Sequence, residues 1–462
     1  MTLLSLLTFL PTVILGTLVV HIVWAEKSIS AFLLKFSLGT GLGLGVSSLL
    51  YFLTLQTVPG RVNMLILQGF LLVVLLLFVY RRDGLPKINK AQPPAFSWLQ
   101  WGFIIIFIIT VVVAGFAFTK QIIARPQGAL DAWSIWNRAA RFIHRDPENW
   151  QATLSPELAV LRHADYPLLI PLNVAWGWDV VGNETLRIPM MQAILFTFAA
   201  IFLMFGALAF TKTVGQASLA SLVLVTVSGI MSSGPSLVAD VPVTYFILAS
   251  GILMYLFTLH QEYPLLILSG FMAGLAGWTK NEGLLFIAIS PFALIAANPA
   301  NIKRTFPYYF AGLLIPLMVI VYFKSMTPPN DLMIDTGVSL LEKITDPARY
   351  WTILRSFLSE NIRKESIFML FYILVMWNGS VRDRRQGIVG LVVLLTLQVL
   401  GYGGIYLITP NDLEWHLFTS QYRLFMQVIP LAIFLCFSIC IDPEEAIISS
   451  MTGQSQKHKT TI

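Results

Sequence analysis

The feature that most constrains this chain is a succession of long apolar runs along nearly the whole sequence. Many are about 20 residues long, the length at which a helix spans the hydrocarbon core of a bilayer. A transmembrane barrel would instead show short segments of alternating polarity. Only 12% of the residues are charged, whereas a soluble domain has about 25%. The sequence therefore predicts an all-α polytopic membrane protein.

The apolar runs predict about thirteen transmembrane helices. Three of the runs are shorter than the roughly 20 residues that a bilayer requires, which is typical of broken or re-entrant helices. These three are 264–279, 283–297 and 365–378. The full set of predicted spans is 2–24, 29–56, 61–80, 98–119, 186–211, 215–232, 241–259, 264–279, 283–297, 306–323, 365–378, 387–408 and 424–441.

The distribution of Lys and Arg predicts the orientation, because cytoplasmic loops of membrane proteins are enriched in both. It predicts a plasma-membrane protein with its N-terminus outside and its C-terminus in the cytoplasm. The outer face then gathers the polar segments 120–185, 233–240, 280–282, 324–364 and 409–423. The net charge of +6 comes mostly from residues that flank membrane helices, so it does not indicate a nucleic-acid partner. The predicted cytoplasmic set is Arg81, Arg82, Lys87, Lys90, Lys212, Lys303, Arg304, Arg382, Arg384, Arg385, Lys457 and Lys459.

The longest polar interval, 127–183, contains an amphipathic pattern at 132–145. A helix with one aromatic-apolar face and one basic face lies flat at the level of the lipid headgroups. Asp131 directly precedes this helix, so the Asp131 carboxylate either caps the helix or has a functional role. The predicted apolar face is Trp133, Trp136, Ala140 and Ile143, and the polar face is Ser134, Arg138, Arg141 and Arg145.

Other charged residues lie where predicted outer segments meet helices. Asp240 precedes Val-Pro, which suits either a helix cap or a functional carboxylate. Lys280 and Glu282 lie between two short apolar runs, either in a solvated helix-hairpin turn or in a cavity within the membrane. Arg423 begins an apolar run, where it either snorkels to lipid headgroups or binds a phosphate. Residues 348–358 predict a second amphipathic surface helix, which is either a plain interfacial helix or a lid.

Five stretches resemble one family: LDAWSIWNRAARFIH, RHADYPLLIPL, VADVPVTYF, GWTKNEGLLF and TPNDLEWHLFTSQYRLFMQVIP. They are similar to integral-membrane glycosyltransferases of the GT-C fold, distantly related to protein O-mannosyltransferases, aminoarabinose transferases and oligosaccharyltransferases. The resemblance spans roughly 98–440. It implies a catalytic module at 98–441 that includes the outer loop 120–185. Residues 1–97 would be additional transmembrane helices, and the polar residues 442–462 predict a disordered cytoplasmic tail.

The resemblance implies that a sugar moves from a polyprenyl-phosphate-linked donor to an acceptor hydroxyl on a glycan, lipid or protein at the outer face. Asp131 matches the position of the family's catalytic aspartate. Arg and Lys can stabilise the anionic phosphate leaving group, and a carboxylate can serve as the base that takes the proton of the acceptor hydroxyl. The expected donor-phosphate contacts are Arg423, Lys280, Arg138 and Arg162. The expected substrate contacts are His163, Asp165, Tyr166, Asp240, Glu282, Glu414 and His416.

The sequence assigns no cofactor. Many members of the family carry paired acidic residues at the catalytic position, whereas Asp131 is followed by Ala132, which departs from a metal-dependent pattern. Nearby acidic and histidine side chains, such as Asp165, Glu414 and His416, are possible ligands, so the binding of a divalent cation remains an open alternative.

An alternative from another class is a secondary transporter or flippase that uses Asp240, Lys280 and Glu282 as ligands. Transporters typically show internal repeats and charges near the membrane midplane. This sequence shows no repeat, and its charges gather at one predicted face, which favours the glycosyltransferase.

The orientation is tested by single cysteines at Glu148 and Gln386, in a background in which Cys436 and Cys440 are serine. We expect an impermeant thiol reagent to label intact cells at position 148 and not at 386, because the positive-inside rule places the first outside. Labelling at position 386 and not at 148 would show that the orientation is the opposite of the predicted one.

Overall fold

The computed structural model describes residues 3–84, 96–155, 163–227, 229–329, 339–361, 376 and 384–452, and it is helical with no β-strand among these residues. Eight helices in this part of the chain are long and apolar enough to cross a membrane. Several present large apolar side chains outward, as Ile66 (64% exposed) and Phe116 (74% exposed) do. The chain is therefore a multi-pass, all-helical membrane protein, as predicted; the GT-C fold and the count of thirteen stay predictions.

The described part of the chain is built from nineteen helices of four or more residues, together with short helical turns. A π-helical turn, Ala132–Trp136, precedes α6, and a 3-10 turn, Trp150–Leu154, follows it. In chain order the helices are α1 Leu3–Leu7, α2 Leu10–Val23, α3 Ile29–Thr57, α4 Arg61–Asp83, α5 Trp98–Ala124, α6 Asn137–Arg145, α7 Leu169–Val181, α8 Arg187–Thr211, α9 Val214–Val227, α10 Ile230–Ser233, α11 Asp240–His260, α12 Tyr263–Thr279, α13 Glu282–Ala297, α14 Ile302–Met326, α15 Leu340–Thr345, α16 Pro347–Asn361, α17 Arg385–Ile408, α18 Leu413–Ile439 and α19 Pro443–Thr452.

Most predicted spans correspond to one helix, with three differences. The predicted span 2–24 forms two helices, α1 and α2. The span 215–232 is divided between α9 and α10, next to Gly229, whose φ of +71° lies in the left-handed region that glycine adopts readily. The span 365–378 lies outside the described residues, apart from Met376.

A buried helix, α7, lies within the segment that the sequence assigned to a polar outer loop. Every residue from Leu169 to Trp178 is buried, and α7 packs against α3 and α6. The segment was missed because its apolar run is too short to span a bilayer. Packing against neighbouring helices, which the sequence does not reveal, buries it instead.

Helix α11 forms the centre of the core and packs against α8, α12 and α18. Its Tyr245 donates a hydrogen bond to the carbonyl of Ser37 in α3 (2.6 Å). Phe52 of α3 makes edge contacts with Trp150 and Trp278. The N-terminal helices thus share one hydrophobic core with the rest of the described chain, while the functional boundary at residue 97 stays a prediction.

Helix α16 confirms that residues 348–358 are helical, while their position at the membrane interface stays a prediction. It packs on α18 through the rings of Phe357 and Phe425, whose centroids are 5.0 Å apart. The amide of Gln421 also donates to the carbonyl of Ser356 (3.0 Å). These contacts place α16 over the part of α18 that contains Arg423.

The prediction of a disordered tail is wrong for its first part, because residues 443–452 form α19. The carboxylate of Glu444 accepts hydrogen bonds from the Thr213 hydroxyl and from the backbone N–H of Gly215, both at 2.7 Å. These donors lie at the N-terminus of α9, where a carboxylate is favoured by unsatisfied N–H groups and by the helix dipole. Residues 453–462 lie outside the described residues.

We expect Glu444→Ala to lower the free energy of unfolding by about 1–3 kcal/mol, because the buried N–H of Gly215 loses a charged acceptor. Thermal unfolding in detergent, followed by circular dichroism, measures the effect. Glu445→Ala is the control, since Glu445 is exposed in the same turn. Equal changes in the two variants would contradict the capping role.

Candidate functional site

Arg423 lies between two carboxylates from distant parts of the chain. Its Nη1 donates to Oδ2 of Asp131 (2.6 Å), while Nε (3.0 Å) and Nη2 (2.7 Å) donate to Oδ2 of Asp240. The ammonium of Lys280 donates to Oδ1 of Asp240 (3.0 Å) and lies 2.6 Å from Oε1 of Glu282. We call these five residues the central ionic cluster. Three carboxylates and two cations give it a formal charge of −1.

The members of the cluster differ in exposure, and the side chain of Glu282 is intermediate at 16%. The side chains of Asp240 and Lys280 are 1% and 4% exposed, whereas those of Asp131 and Arg423 are 28% and 33% exposed. Charge pairs deep in a low-dielectric interior interact more strongly than exposed pairs. The buried half therefore fixes the geometry, and the half with Asp131 and Arg423 is accessible to a ligand.

Backbone contacts bring Asp131 next to the start of α11. The N–H of Ala129 donates to the carbonyl of Ser236 (2.9 Å), just before Asp240. Gly128 precedes this contact with φ +74°, and a Cβ atom at that position would lie 2.4 Å from the same carbonyl oxygen. Glycine is thus required for the close approach of the two segments.

The structure decides between the interpretations that the sequence left open. Asp131 has helical backbone angles, and its side chain makes no capping hydrogen bond. Asp240 is the first residue of α11, and its carboxylate binds Lys280 and Arg423. Lys280 is buried, so the turn that joins α12 to α13 is not a solvated hairpin. The side chain of Arg423 is directed to carboxylates instead of extending alone to the headgroup region.

A second group of charges is joined to the cluster through the 280–282 turn. The side-chain amide of Asn281 donates to Oδ2 of the buried Asp165 (2.8 Å). Lys324, at the end of α14, donates to Oδ2 of Asp165 (3.1 Å) and to Oδ1 of Asn281 (2.7 Å). Sequence reasoning missed Lys324, although a lysine at the end of an apolar run on a charge-poor side was a usable signal.

Aromatic rings form a wall beside Asp165. The Tyr166 ring stacks on Trp136 with centroids 5.4 Å apart and on His163 at 4.5 Å. His163 has φ +65°, which is uncommon for a residue other than glycine. Burial, together with the charge of Glu282, raises the pKa of Tyr166 well above its usual value, so the phenol stays protonated.

Arg138 lines a cavity together with this wall, Thr153 and Leu154. Its Nε and Nη1 are buried and have no hydrogen-bond acceptor within the described part of the chain. Burial lowers the pKa of its guanidinium from the usual value. By contrast, Arg141 and Arg145 on the same helix both pair with Glu184. The cavity therefore contains a cation whose charge no described carboxylate neutralises.

The helix that carries Arg138 differs from the predicted flat amphipathic helix. Trp136, Ala140 and Ile143 are buried as expected, but Trp133 is 45% exposed. The cause is the π-helical turn, which has more residues per turn than an α-helix and rotates Trp133 off the apolar face. At the other end, His144 lies 2.5 Å from the carboxylate of Asp179 in α7, which fixes the orientation of α6.

Two predicted site residues, Glu414 and His416, make no described hydrogen bond or ion pair with the central ionic cluster. Glu414 is exposed in the first turn of α18. His416 packs against Tyr406, and its Nδ1 lies 2.8 Å from the hydroxyl of Thr409. Arg162 lies outside the described residues. In the described ranges, no group of three or more His, Cys, Asp and Glu side chains is arranged to hold a metal ion.

We expect Asp240→Asn to destabilise the fold by about 3–5 kcal/mol, because it leaves Lys280 and Arg423 without a buried counter-charge. Asp131→Asn should cost less than about 1 kcal/mol, since that carboxylate is partly solvated. Thermal unfolding in detergent compares the two. A larger loss for Asp131→Asn would show that the partly exposed half holds the cluster together.

No protein-family model, no curated protein and no solved structure matches this chain. Its family is therefore not identified by comparison. Function has to be argued from the residues themselves and from the geometry of the cluster, the aromatic wall and the Arg138 cavity.

Proposed function

We propose that this protein is a membrane glycosyltransferase that moves a sugar from a polyprenyl-phosphate-linked donor to an acceptor hydroxyl on a glycan, lipid or protein. The proposal places the reaction at the outer face of the plasma membrane. One observation carries it: the carboxylate of Asp131 does not cap the helix that follows, is partly exposed, and is held in position by Arg423. A positioned carboxylate at the edge of a buried ionic cluster is suited to act as a base.

The position of the cluster supports a lipid-linked substrate. Asp131 lies shortly after the end of α5, Asp240 begins α11, and Arg423 belongs to α18, three helices of membrane-spanning length. The end of α5 and the start of α11 are expected near the boundary between hydrocarbon and headgroups, and Arg423 of α18 pairs with the aspartates that lie there. A donor whose polyprenyl chain stays in the bilayer would present its phosphate and sugar at this depth.

The chemistry assigns a role to each oxygen of Asp131. Oδ2 accepts a hydrogen bond from Arg423, which leaves Oδ1 for the acceptor hydroxyl. As the acceptor oxygen forms a bond to the anomeric carbon, its proton passes to Asp131. The bond between that carbon and the phosphate oxygen breaks, and its electron pair leaves with polyprenyl phosphate. Arg423 acts as a positioning residue, because it touches the base and is itself fixed by Asp240.

Arg138 is suited to bind the donor phosphate. A partly buried guanidinium with two buried N–H groups that lack an acceptor is unfavourable by itself, and Arg forms strong, often bidentate hydrogen bonds to phosphate. At Arg423, by contrast, Nε, Nη1 and Nη2 already donate to carboxylates, and the cluster has a formal charge of −1. We therefore assign the main phosphate contact to Arg138, with Arg423 and Lys280 positioning the carboxylates.

The alternative function, a secondary transporter or flippase, is favoured by one observation. Asp240 and Lys280 form a buried ion pair between helices of a membrane protein, and such pairs occur along transport pathways. The two proposals differ in what happens to the substrate. Only the glycosyltransferase breaks the bond between the sugar and the phosphate.

The test uses purified protein in liposomes with a panel of radiolabelled polyprenyl-phosphate sugars and acceptors. We expect transfer of at least one sugar by the wild type. Asp131→Asn should fold, bind the donor and lose about 10²–10⁴-fold in turnover, because the base is lost. The same substitution at Asp412 is the matched control: this aspartate caps α18 by accepting from the N–H of Trp415 (2.9 Å), and Asn caps about as well as Asp.

Near wild-type transfer by Asp131→Asn would make Asp131 structural and turn attention to Asp165 and Asp240. Movement of intact donor across the liposome membrane, without transfer, would favour the transporter.

A further inference from the structure

Two buried carboxamides face one cavity on the side of α6 that contains Asn137. Asn137 is 2% exposed, and Gln192 of α8 is 3% exposed. Neither side-chain amide nitrogen has a hydrogen-bond acceptor among the residues that the structure describes. Buried polar groups in proteins are nearly always hydrogen-bonded, so two unpartnered amides in one cavity require an explanation.

The cavity adjoins the first turn of α11, the helix that begins with Asp240 of the central ionic cluster. Its wall includes Val241 and Pro242, the two residues that follow Asp240, and Asn137 is less than two helical turns from Asp131. Leu237, which also lines it, has φ +58°, an uncommon angle for leucine that is held by the turn before α11. The cavity is therefore built from the same segments that position Asp131 and Asp240.

The lining indicates an uncharged ligand group. No charged side chain lines this cavity within the described residues; apart from the two amides it is formed by Gly234 and by apolar residues, such as Ile170, Pro189 and Val238. A mostly apolar site with a few placed polar groups is typical of small-molecule recognition. Carboxamides both donate and accept hydrogen bonds, as a hydroxyl group does. The space suffices for about one hydroxyl-sized group.

We propose that Asn137 and Gln192 bind one hydroxyl group of a substrate and so determine which sugar or acceptor the enzyme accepts. This inference rests on the proposed glycosyltransferase function. In this proposal two adjacent residues recognise different parts of the substrates. Arg138 lines the cavity assigned to the donor phosphate, and Asn137 lines a neutral cavity assigned to a hydroxyl group. The hydroxyl belongs to the transferred sugar or to the acceptor, and the experiment separates these sources.

The experiment measures kcat and KM of the purified, reconstituted full-length chain. It uses the sugar donor that the wild type accepts, each monodeoxy analogue of that sugar, and the corresponding deoxy acceptors. We expect the wild type to react about 10-fold or more slowly with one deoxy analogue, because that analogue leaves the buried amides unpaired. A deoxy donor identifies the sugar as the source, and a deoxy acceptor identifies the acceptor.

The substitutions Asn137→Leu and Gln192→Met keep the side-chain volume and remove the hydrogen-bonding groups. We expect both variants to lose the discrimination between the substrate and that one deoxy analogue. Gln192→Asn retains the amide on a shorter side chain and should keep part of the discrimination, which covers the case in which the first two variants fold poorly. The control is Asn173→Leu, since the amide of Asn173 donates to the carbonyls of Leu44 and Leu169 and is structural.

Three results would overturn the inference. The first is unchanged discrimination in the Asn137 and Gln192 variants while the wild type transfers sugar, which would leave the proposed function standing. The second is a lower melting temperature with no change in KM or selectivity, which would assign the cavity to a structural water only. The third is a wild type that transfers no sugar, which would remove both proposals.

Discussion

The ion pairs of Arg423 with Asp131 and Asp240 join the helices that form the candidate functional site. The three side chains come from the loop after α5, the first turn of α11 and the middle of α18, so a single guanidinium links helices that are far apart in sequence. Removing two charges from water is costly, and a buried pair is tolerated only when its geometry and further hydrogen bonds are good. Lys280 and Gln427 provide such bonds to the second oxygen of Asp240. Arrangements of this kind recur at functional sites.

The cluster has a buried half that is rigid and an accessible half that is suited to chemistry. Asp240 and Lys280 are almost completely buried, whereas Asp131 and Arg423 each retain part of their surface. A catalytic carboxylate requires both properties, because it must be held within hydrogen-bonding distance of its substrate and must still be reached by it. The 280–282 turn extends the network, since Asn281 links it to Asp165 and Lys324.

The segment 136–138 brings three kinds of side chain to the site within one helical turn. Trp136 stacks on Tyr166, Arg138 supplies an unneutralised cation, and Asn137 points into a neutral cavity. Successive residues of a helix point in different directions, so one segment can serve separate cavities. The fixing of α6 by His144 and Asp179 keeps these directions constant.

The sequence by itself determined the helical membrane class, most helix positions and the five charged residues of the central ionic cluster as candidates, although not Lys324. Apolar length and charge scarcity dictate these features locally, since a bilayer requires helices of about 20 residues and disfavours unpaired charge. Only the tertiary structure decided what each charge does. An aspartate at the start of a helix is expected whether it caps the helix or forms an ion pair, so the sequence alone does not show which role it has. For Asp131 the role was decided by its ion pair with Arg423, almost 300 positions later in the chain. The burial of α7 and the docking of Glu444 onto α9 likewise depend on partners distant in sequence, which hydropathy does not record.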